Sequence, residues 1–242
     1  MVEGGKMLKV EEKEIKSLVQ NLYTESEKRE FHRYKSMIYC FKFFQNNVMG
    51  KKPDEKTFDL AALNLAMYLA SWGMYRGSSF LLRCNYKVFI DLIKNICKYK
   101  FDPYNIEKND QKQIVECFKD IEEYLKEIKP EYSKQERDEI GTTLITKIML
   151  GVFGITPAFD KYFVLGLAKH KKLGFVKNWF NKTDKFELAY SKLMNFYKDN
   201  EDIITKLSET TVTDGCKIPP MRVIDIYFWK LGKDTLKQKE EQ

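Results

Sequence analysis

The stretch GTTLITKIMLGVFGITPAFDKYF, residues 141–163, joins two apolar helical segments through a short turn that contains glycine and proline. Its first half is apolar at helical spacing and carries Lys147, and the turn is bounded by Gly151 and Gly154. A second helix is predicted from about Pro157, with Asp160 in its first turn, because proline is favoured where a helix starts. A carboxylate there lies near the positive end of the helix dipole, which keeps it ionised at neutral pH. The alternative is that Asp160 is an ordinary helix-start acid.

Helical periodicity continues along nearly the whole chain. Apolar residues recur three or four positions apart, whereas the alternation typical of strands is nearly absent. The predicted helices cover 10–23, 31–48, 53–72, 86–99, 110–128, 134–150, 158–168, 184–198, 200–208 and 221–232. The fold class is therefore predicted as all-α, a single globular multi-helix domain over 1–242. Two helical lobes, 1–130 and 131–242, with a cleft between them are the alternative arrangement.

Composition and spacing argue against several classes of protein. The chain of 242 residues, 43% hydrophobic, is long enough to bury a core. Its five cysteines form no C-x-x-C pair and its two histidines lie far apart, so we predict reduced thiols, no metal site and no cofactor. Neither a G-x-S-x-G elbow nor a phosphate-binding P-loop occurs. A nuclease whose scattered acids converge on a metal in space stays open.

The amino-terminal residues and the hydropathy predict where the protein resides. The chain becomes charged within its first ten residues and lacks an apolar signal core. It also contains no run of the roughly 18 apolar residues that would cross a bilayer. We therefore expect a cytoplasmic protein that does not associate with membranes.

Positive charge is concentrated in the segment 161–200. This segment holds nine lysines against three acidic residues, and the whole chain carries a formal net charge of +7. Aromatic residues are interleaved with the lysines, a mixture that can grip phosphates while a ring stacks on a base. The lysines predicted to bind DNA are Lys161, Lys169, Lys171, Lys172, Lys177 and Lys182. The alternative is a solvated lysine face over an aromatic core.

A second polar segment, SWGMYRGSSFLL at residues 71–82, interrupts an apolar helix. Its small and polar residues could line a pocket for a base or sugar, and its aromatic residues could stack on a base. The predicted substrate-binding residues are Trp72, Tyr75, Arg76, Ser78 and Ser79. The alternative is a close helix crossing with the aromatic side chains in the core. Farther along the chain, Arg222 and Asp225 are three residues apart and are predicted to form a structural ion pair on one helix face.

The arrangement around residues 140–170 resembles the helix-hairpin-helix DNA glycosylase superfamily, in which a glycine-bearing hairpin precedes a helix with an essential early Asp. The resemblance implies that Asp160 stabilises the cationic sugar as the base departs and helps to activate water. In lyase-competent members a hairpin lysine attacks the sugar to form a Schiff base. Lys147, the only lysine between Gly141 and the turn, would take that role here.

The sequence thus leads to one preferred function and one alternative. The preferred function is a DNA glycosylase that flips out a modified or damaged base and hydrolyses its N-glycosidic bond, with Asp160 and Lys147 as catalytic residues. If the host is a microbe, removal of modified bases from phage DNA is a fitting role by family analogy. The alternative is a non-catalytic helical module that binds nucleic acid or a protein partner.

Overall fold

The computed structural model describes residues 9–29, 31–77, 79–132, 140–169 and 183–240. The helices are α1 (Glu12–Glu27), α2 (Lys35–Asn47), α3 (Glu55–Ser71), α4 (Ile90–Ile96), α5 (Gln111–Tyr132), α6 (Thr142–Phe153), α7 (Lys161–Lys169), α8 (Phe186–Asp199), α9 (Glu201–Thr210) and α10 (Pro220–Glu240). Short 3-10 turns lie at Phe80–Arg83, Tyr86–Phe89, Ile106–Lys108 and Thr183–Lys185. The protein is 73% helical, which confirms the predicted all-α fold class.

The described strands are two residues each and form a hairpin between α9 and α10. The strands β1 (Val212–Thr213) and β2 (Cys216–Lys217) are antiparallel, with Val212 opposite Lys217. Asp214 and Gly215 connect them with positive φ angles of 49° and 71°. An Asp-Gly turn of this kind matches the twist of a hairpin.

Helix α3 packs against several other helices of the fold. It begins where Asp54 accepts a hydrogen bond from the Thr57 amide at 2.8 Å, an N-cap that satisfies one of the helix's free N–H groups. Its inner face packs against both α2 and α6. The buried residues of α3 are Phe58, Ala61, Ala62, Leu65, Ala66, Tyr68 and Leu69.

The two glycines at the end of α6 have different structural reasons. A side chain at Gly151 would place its Cβ 2.6 Å from a ring carbon of Tyr68, so only glycine allows α3 and α6 to pack this closely. Gly154 has a φ of +71°, and its amide donates to the carbonyls of Met149 and Leu150. It is therefore a left-handed C-cap that ends the helix.

Some helix boundaries differ from the predicted ones. The predicted helix 86–99 is shorter, because Tyr86–Phe89 forms a 3-10 turn capped by the Asn85 side chain. Pro130 lies inside α5, two residues before its end, instead of ending it. Because proline has no N–H group, the helix loses one backbone hydrogen bond, and only in its last turn. The helix predicted from Pro157 begins at Lys161. Residues 134–139 of the predicted helix 134–150 lie outside the described residues.

Helices α7 and α10 approach each other through glycine. A Cβ at Gly166 would lie 1.8 Å from the carbonyl oxygen of Phe228, and a Cβ at Gly232 would lie 1.9 Å from that of Tyr162. Backbone therefore rests on backbone at this crossing. From Pro220 to Trp229 every residue of α10 is buried, so this part of the helix is surrounded by the rest of the protein on all its faces.

We predict that Gly166→Ala lowers the free energy of unfolding by about 1–3 kcal/mol or more, because the added methyl group overpacks a backbone contact that cannot yield without moving a helix. Urea unfolding followed by circular dichroism measures the change. Gly141→Ala is the control, since a Cβ added at Gly141 would have no atom within 4 Å. Gly141 is the N-cap of α6, where alanine is less favourable than glycine, so the control should lower the free energy of unfolding by less than about 1 kcal/mol. Equal losses in the two variants would contradict the role given to the crossing.

Candidate functional site

The site is built around the buried amine of Lys147 in the middle of α6. This residue is 3% exposed. Its Nζ donates a hydrogen bond of 3.0 Å to the carbonyl oxygen of Trp72, at the end of α3. The same nitrogen lies 3.8 Å from Oδ2 of Asp160, in the turn before α7. Lys147 therefore faces both the core and the turn, and the structure brings the two predicted catalytic residues together.

Asp160 uses its two carboxylate oxygens differently. Oδ1 accepts hydrogen bonds from the amides of Tyr162 and Phe163, both at 3.0 Å, so Asp160 is the N-cap of α7. Its position is one residue before the helix, not in the first turn as predicted, because the chain from Pro157 to Asp160 is not helical. Oδ2 faces Lys147, and the side chain is 15% exposed. The carboxylate is thus a helix cap and also the charge partner of a buried lysine.

The turn that carries Asp160 is fixed by side chains of α6. The Thr146 hydroxyl accepts a hydrogen bond from the Phe159 amide at 2.9 Å. The Thr143 hydroxyl donates to the Phe159 carbonyl at 2.7 Å. Since Lys147 is on the same helix, α6 positions both partners of the ion pair. Thr146 and Thr143 are polar residues in an apolar helix, which is a sequence signal for such contacts. Their partner Phe159 lies 13 and 16 residues away, so the signal does not identify it.

A second ion pair, the predicted one between Arg222 and Asp225, lies beside the first. Both side chains are buried, and the guanidinium Nη1 donates to Oδ2 of Asp225. Oδ1 of Asp225 accepts a hydrogen bond of 2.9 Å from the Ala158 amide, two residues before Asp160. The pair on α10 therefore reaches the same turn, a contact that the spacing of Arg222 and Asp225 does not predict.

Burial dominates the electrostatics of these groups. It lowers the pKa of Lys147 below the ordinary lysine value, and this effect is partly opposed by Asp160 and Asp225. Arg76 and Arg222 also lower the pKa of Lys147 by like-charge repulsion. Burial raises the pKa of Asp225, and the attraction of Arg222 partly opposes that rise. A lysine in this setting loses its proton more readily than a lysine in water, which favours reaction as a nucleophile.

The ring of Trp72 lies among cations and other aromatic rings. Its centroid is 5.2 Å from the guanidinium carbon of Arg222 and 5.6 Å from Nζ of Lys147. Tyr34 stacks on it with centroids 5.6 Å apart, and the indole N–H donates to the Ser36 hydroxyl. Cation–π contacts of this kind are stabilising in a desolvated setting. In this state Trp72 is packed as a structural member of the site and does not present a bare face to a base.

A pocket of about 300 Å³ is lined in part by the first turn of α6, the helix that carries Lys147. Arg76 and Ser79, both predicted to bind substrate, line it, whereas Lys147 and Asp160 are not among its lining residues. Thr143 does line it, and Lys147 is one helical turn farther along α6. The lining residues are Gly73, Met74, Arg76, Ser79, Phe80, Lys129, Ile140, Gly141, Thr143 and Leu144. A volume of this size is at the small end of ligand sites.

The remaining predicted residues have mixed positions. Tyr75 is half-buried, and burial raises its pKa to about 12. Lys161 and Lys169 are exposed at the two ends of α7. The other predicted DNA-binding lysines, at 171, 172, 177 and 182, lie outside the described residues, as does Ser78. Within the described part of the chain, no group of three or more His, Cys, Asp or Glu side chains could hold a metal ion.

Comparison with known protein families, curated proteins and solved structures finds no match to this chain. Among the helices that the structure describes, none is long and apolar enough to cross a membrane. The candidate site therefore rests on its own geometry.

The two roles of Asp160 can be separated by substitution. Asp160→Ala removes the N-cap and should lower the free energy of unfolding by about 0.5–2 kcal/mol. Asp160→Asn keeps an oxygen that accepts from the same amides, so it should lose clearly less. Thermal or urea unfolding of both variants makes the comparison. Equal losses would mean that the charge facing Lys147, not the cap, is what Asp160 contributes to stability.

The lowered pKa of Lys147 predicts a pH-dependent stability. Between that pKa and the ordinary value of 10.5, the unfolded chain binds more protons at this lysine than the folded chain does. The free energy of unfolding should therefore rise with pH in this window, relative to Lys147→Met, which has no such group. Urea unfolding at several values from pH 7 to 10.5 measures the difference between the two proteins. Lys161→Met controls for loss of an exposed lysine, and a wild-type minus Lys147→Met difference that is flat with pH would refute the prediction.

Proposed function

We propose that this protein is a DNA glycosylase that hydrolyses the N-glycosidic bond of a flipped-out base. The observation that carries the proposal is the pair of buried Lys147 and partly exposed Asp160, 3.8 Å apart, together with a small pocket lined by the helix that carries Lys147. Cleavage of this bond builds positive charge on the sugar, and an ionised carboxylate stabilises that charge best where water is scarce. Asp160 is held by its helix-cap hydrogen bonds and is still 15% exposed, so an extruded nucleotide can approach Oδ2 beside Lys147.

In this proposal Lys147 has a supporting role in the resting state. Its amine faces Oδ2 of Asp160 and donates to the Trp72 carbonyl, so it holds the carboxylate in a fixed direction. An amine held in this way has to leave the Trp72 carbonyl before it could attack a sugar. We therefore assign the main reaction to water, with Asp160 orienting and activating the nucleophile. Schiff-base formation by Lys147 is the lyase variant of the same proposal.

The pocket suits a base more than a long ligand. Met74, Phe80, Ile140 and Leu144 supply apolar surface for a planar ring. Arg76 at the rim supplies a positive charge close enough to affect Lys147. This charge could meet either a phosphate or an electron-rich group on a modified base. Either group would be drawn toward the site by this local excess of positive charge.

The surface around Asp160 is suited to the DNA backbone. Lys161 follows Asp160 directly and is exposed, and Lys169 is exposed at the far end of α7. The net charge of +7 gives the whole molecule an attraction for a polyanion. Phosphate contacts along α7 would bring a nucleotide to the turn that precedes this helix.

A non-catalytic helical binding module is the second candidate. It is favoured by one observation, namely that Oδ1 of Asp160 is engaged by two backbone amides in the manner of an ordinary helix cap. In that case the lysine would only neutralise the remaining oxygen. The two candidates make different predictions for activity.

The test is incubation of the purified protein with duplexes that contain uracil, oxidised, alkylated, hydroxymethylated or glucosylated bases, followed by alkali to cleave abasic sites. We expect strand breaks on at least one substrate, and a loss of roughly 100-fold or more in Asp160→Asn because an aligned charge at the reacting sugar is removed. Borohydride trapping of the same mixtures reports whether Lys147 forms a Schiff base.

Asp54→Asn is the matched control. Asp54 caps α3 in the same way as Asp160 caps α7, but it is exposed. It lies at the opposite end of α3 from Trp72, about 25 Å away along the helix axis. It should leave excision unchanged. Equal excision by wild type and Asp160→Asn would move the catalytic carboxylate elsewhere. DNA binding without breaks on any substrate would favour the binding module.

A further inference from the structure

The buried Arg222–Asp225 pair touches both halves of the candidate site from one helix. Oδ1 of Asp225 accepts from the Ala158 amide at 2.9 Å, and the Ala158 carbonyl accepts from the Asp160 amide at 2.8 Å. The carboxylate of Asp225 is thus two hydrogen bonds from the backbone of Asp160. Because α10 is buried in this region, the contact is shielded from water.

Arg222 approaches the other half of the site. Its guanidinium lies 5.2 Å from the centroid of the Trp72 ring, and the carbonyl of Trp72 is the acceptor for Lys147. Arg222 also acts electrostatically on Lys147 directly. Arg222 therefore contacts Trp72, whose carbonyl binds the amine of Lys147, and pairs with Asp225, which binds the turn.

Stability alone does not explain an ion pair at this buried position. Removing two charges from water costs several kcal/mol per ion, and apolar residues of similar volume are often as stable. The surrounding helix offers apolar residues on both sides, since Val223, Ile224 and Ile226 are all 0–1% exposed. A requirement for fixed charge and fixed direction at the Asp160 turn accounts for the pair better.

We propose that Arg222 and Asp225 are positioning residues that hold the turn of Asp160 and the anchor of Lys147 in the geometry needed for reaction. The activity part of this inference rests on the proposed glycosylase function. The positioning part concerns only the folded protein. Both side chains are buried, so we assign neither of them a contact with substrate.

Excision kinetics separate positioning from a merely structural role. If Asp225 positions the site, Asp225→Asn should lower kcat by roughly 10- to 100-fold, as small misplacements of reacting groups do, and leave KM for DNA unchanged. A residue that only stabilised the core would leave kcat unchanged in a folded variant. The substitution should also lower the pKa of Lys147 further, because the charge of Asp225 favours the protonated amine, and this change reports that the two groups are close in the folded protein.

The experiment measures excision kinetics and the NMR titration of lysine Cε labelled with ¹³C, with Lys147→Met used to assign the Lys147 signal. The groups that face this amine are Asp160, Asp225, Arg76 and Arg222, and wild type provides the reference titration. Asp225→Asn keeps an oxygen for the Ala158 amide, whereas Asp225→Ala does not, so their comparison separates hydrogen bonding from charge. Arg222→Lys tests whether the planar guanidinium is needed beside Trp72.

Asp120→Asn is the matched control. Asp120 forms an ion pair with Lys98 at 2.7 Å and accepts from the Tyr99 hydroxyl, in a different part of the helical domain. It should alter neither kcat nor the Lys147 signal. If it altered both as much as Asp225→Asn, the positioning role would be overturned.

The outcomes are distinct. A lower kcat with unchanged KM and a displaced Lys147 titration supports the positioning role. Unchanged kcat in a folded Asp225→Asn variant overturns it even if the titration moves, and so does a rise in KM alone. If wild type excises no base, the glycosylase proposal fails, and the titration alone decides whether Arg222 and Asp225 set the environment of Lys147. If Asp225→Ala does not fold, the nearly isosteric Asp225→Asn carries the test.

Discussion

The contact on which the site depends is the close approach of α7 and α10. At Gly166 and Gly232 the two helices meet backbone to backbone, which leaves no freedom for one to slide along the other. The Tyr162 carbonyl, in the first turn of α7, is one of the contacting groups. The start of α7 is therefore fixed against α10, and the turn before it is brought within hydrogen-bonding distance of Asp225. Two glycines with no chemistry of their own thus set the position of the carboxylate.

Much of the fold could be predicted because it follows from local patterns. Apolar spacing indicated the helices, and the predicted helix 53–72 agrees closely with α3, which Asp54 caps. The errors came from competing local signals. Pro157 is typical of a helix start, but α7 begins only after Asp160, whose side chain caps it. Pro130 is typical of a helix end, yet α5 continues for two residues beyond it.

The candidate site was predictable in its members more than in its connections. Lys147 and Asp160 were chosen from one stretch of 14 residues, and the structure brings them together. The partners that hold them lie 75 residues from Lys147, at Trp72, and 67 residues from Ala158, at Asp225. Sequence periodicity contains no information on such pairings, because they depend on how helices far apart in the chain cross. The pocket is assembled from three separate stretches for the same reason.

The unequal use of the two Asp160 oxygens restricts the direction from which another group can approach the carboxylate. Two backbone amides hold Oδ1, so the carboxylate cannot turn about its Cβ–Cγ bond without breaking both hydrogen bonds. Only Oδ2 is offered to an incoming group, and Lys147 already occupies one side of it. An incoming group that reaches this oxygen therefore has to arrive from the remaining side. Under the proposed glycosylase function, the helix cap would restrict the face that the sugar presents to the carboxylate.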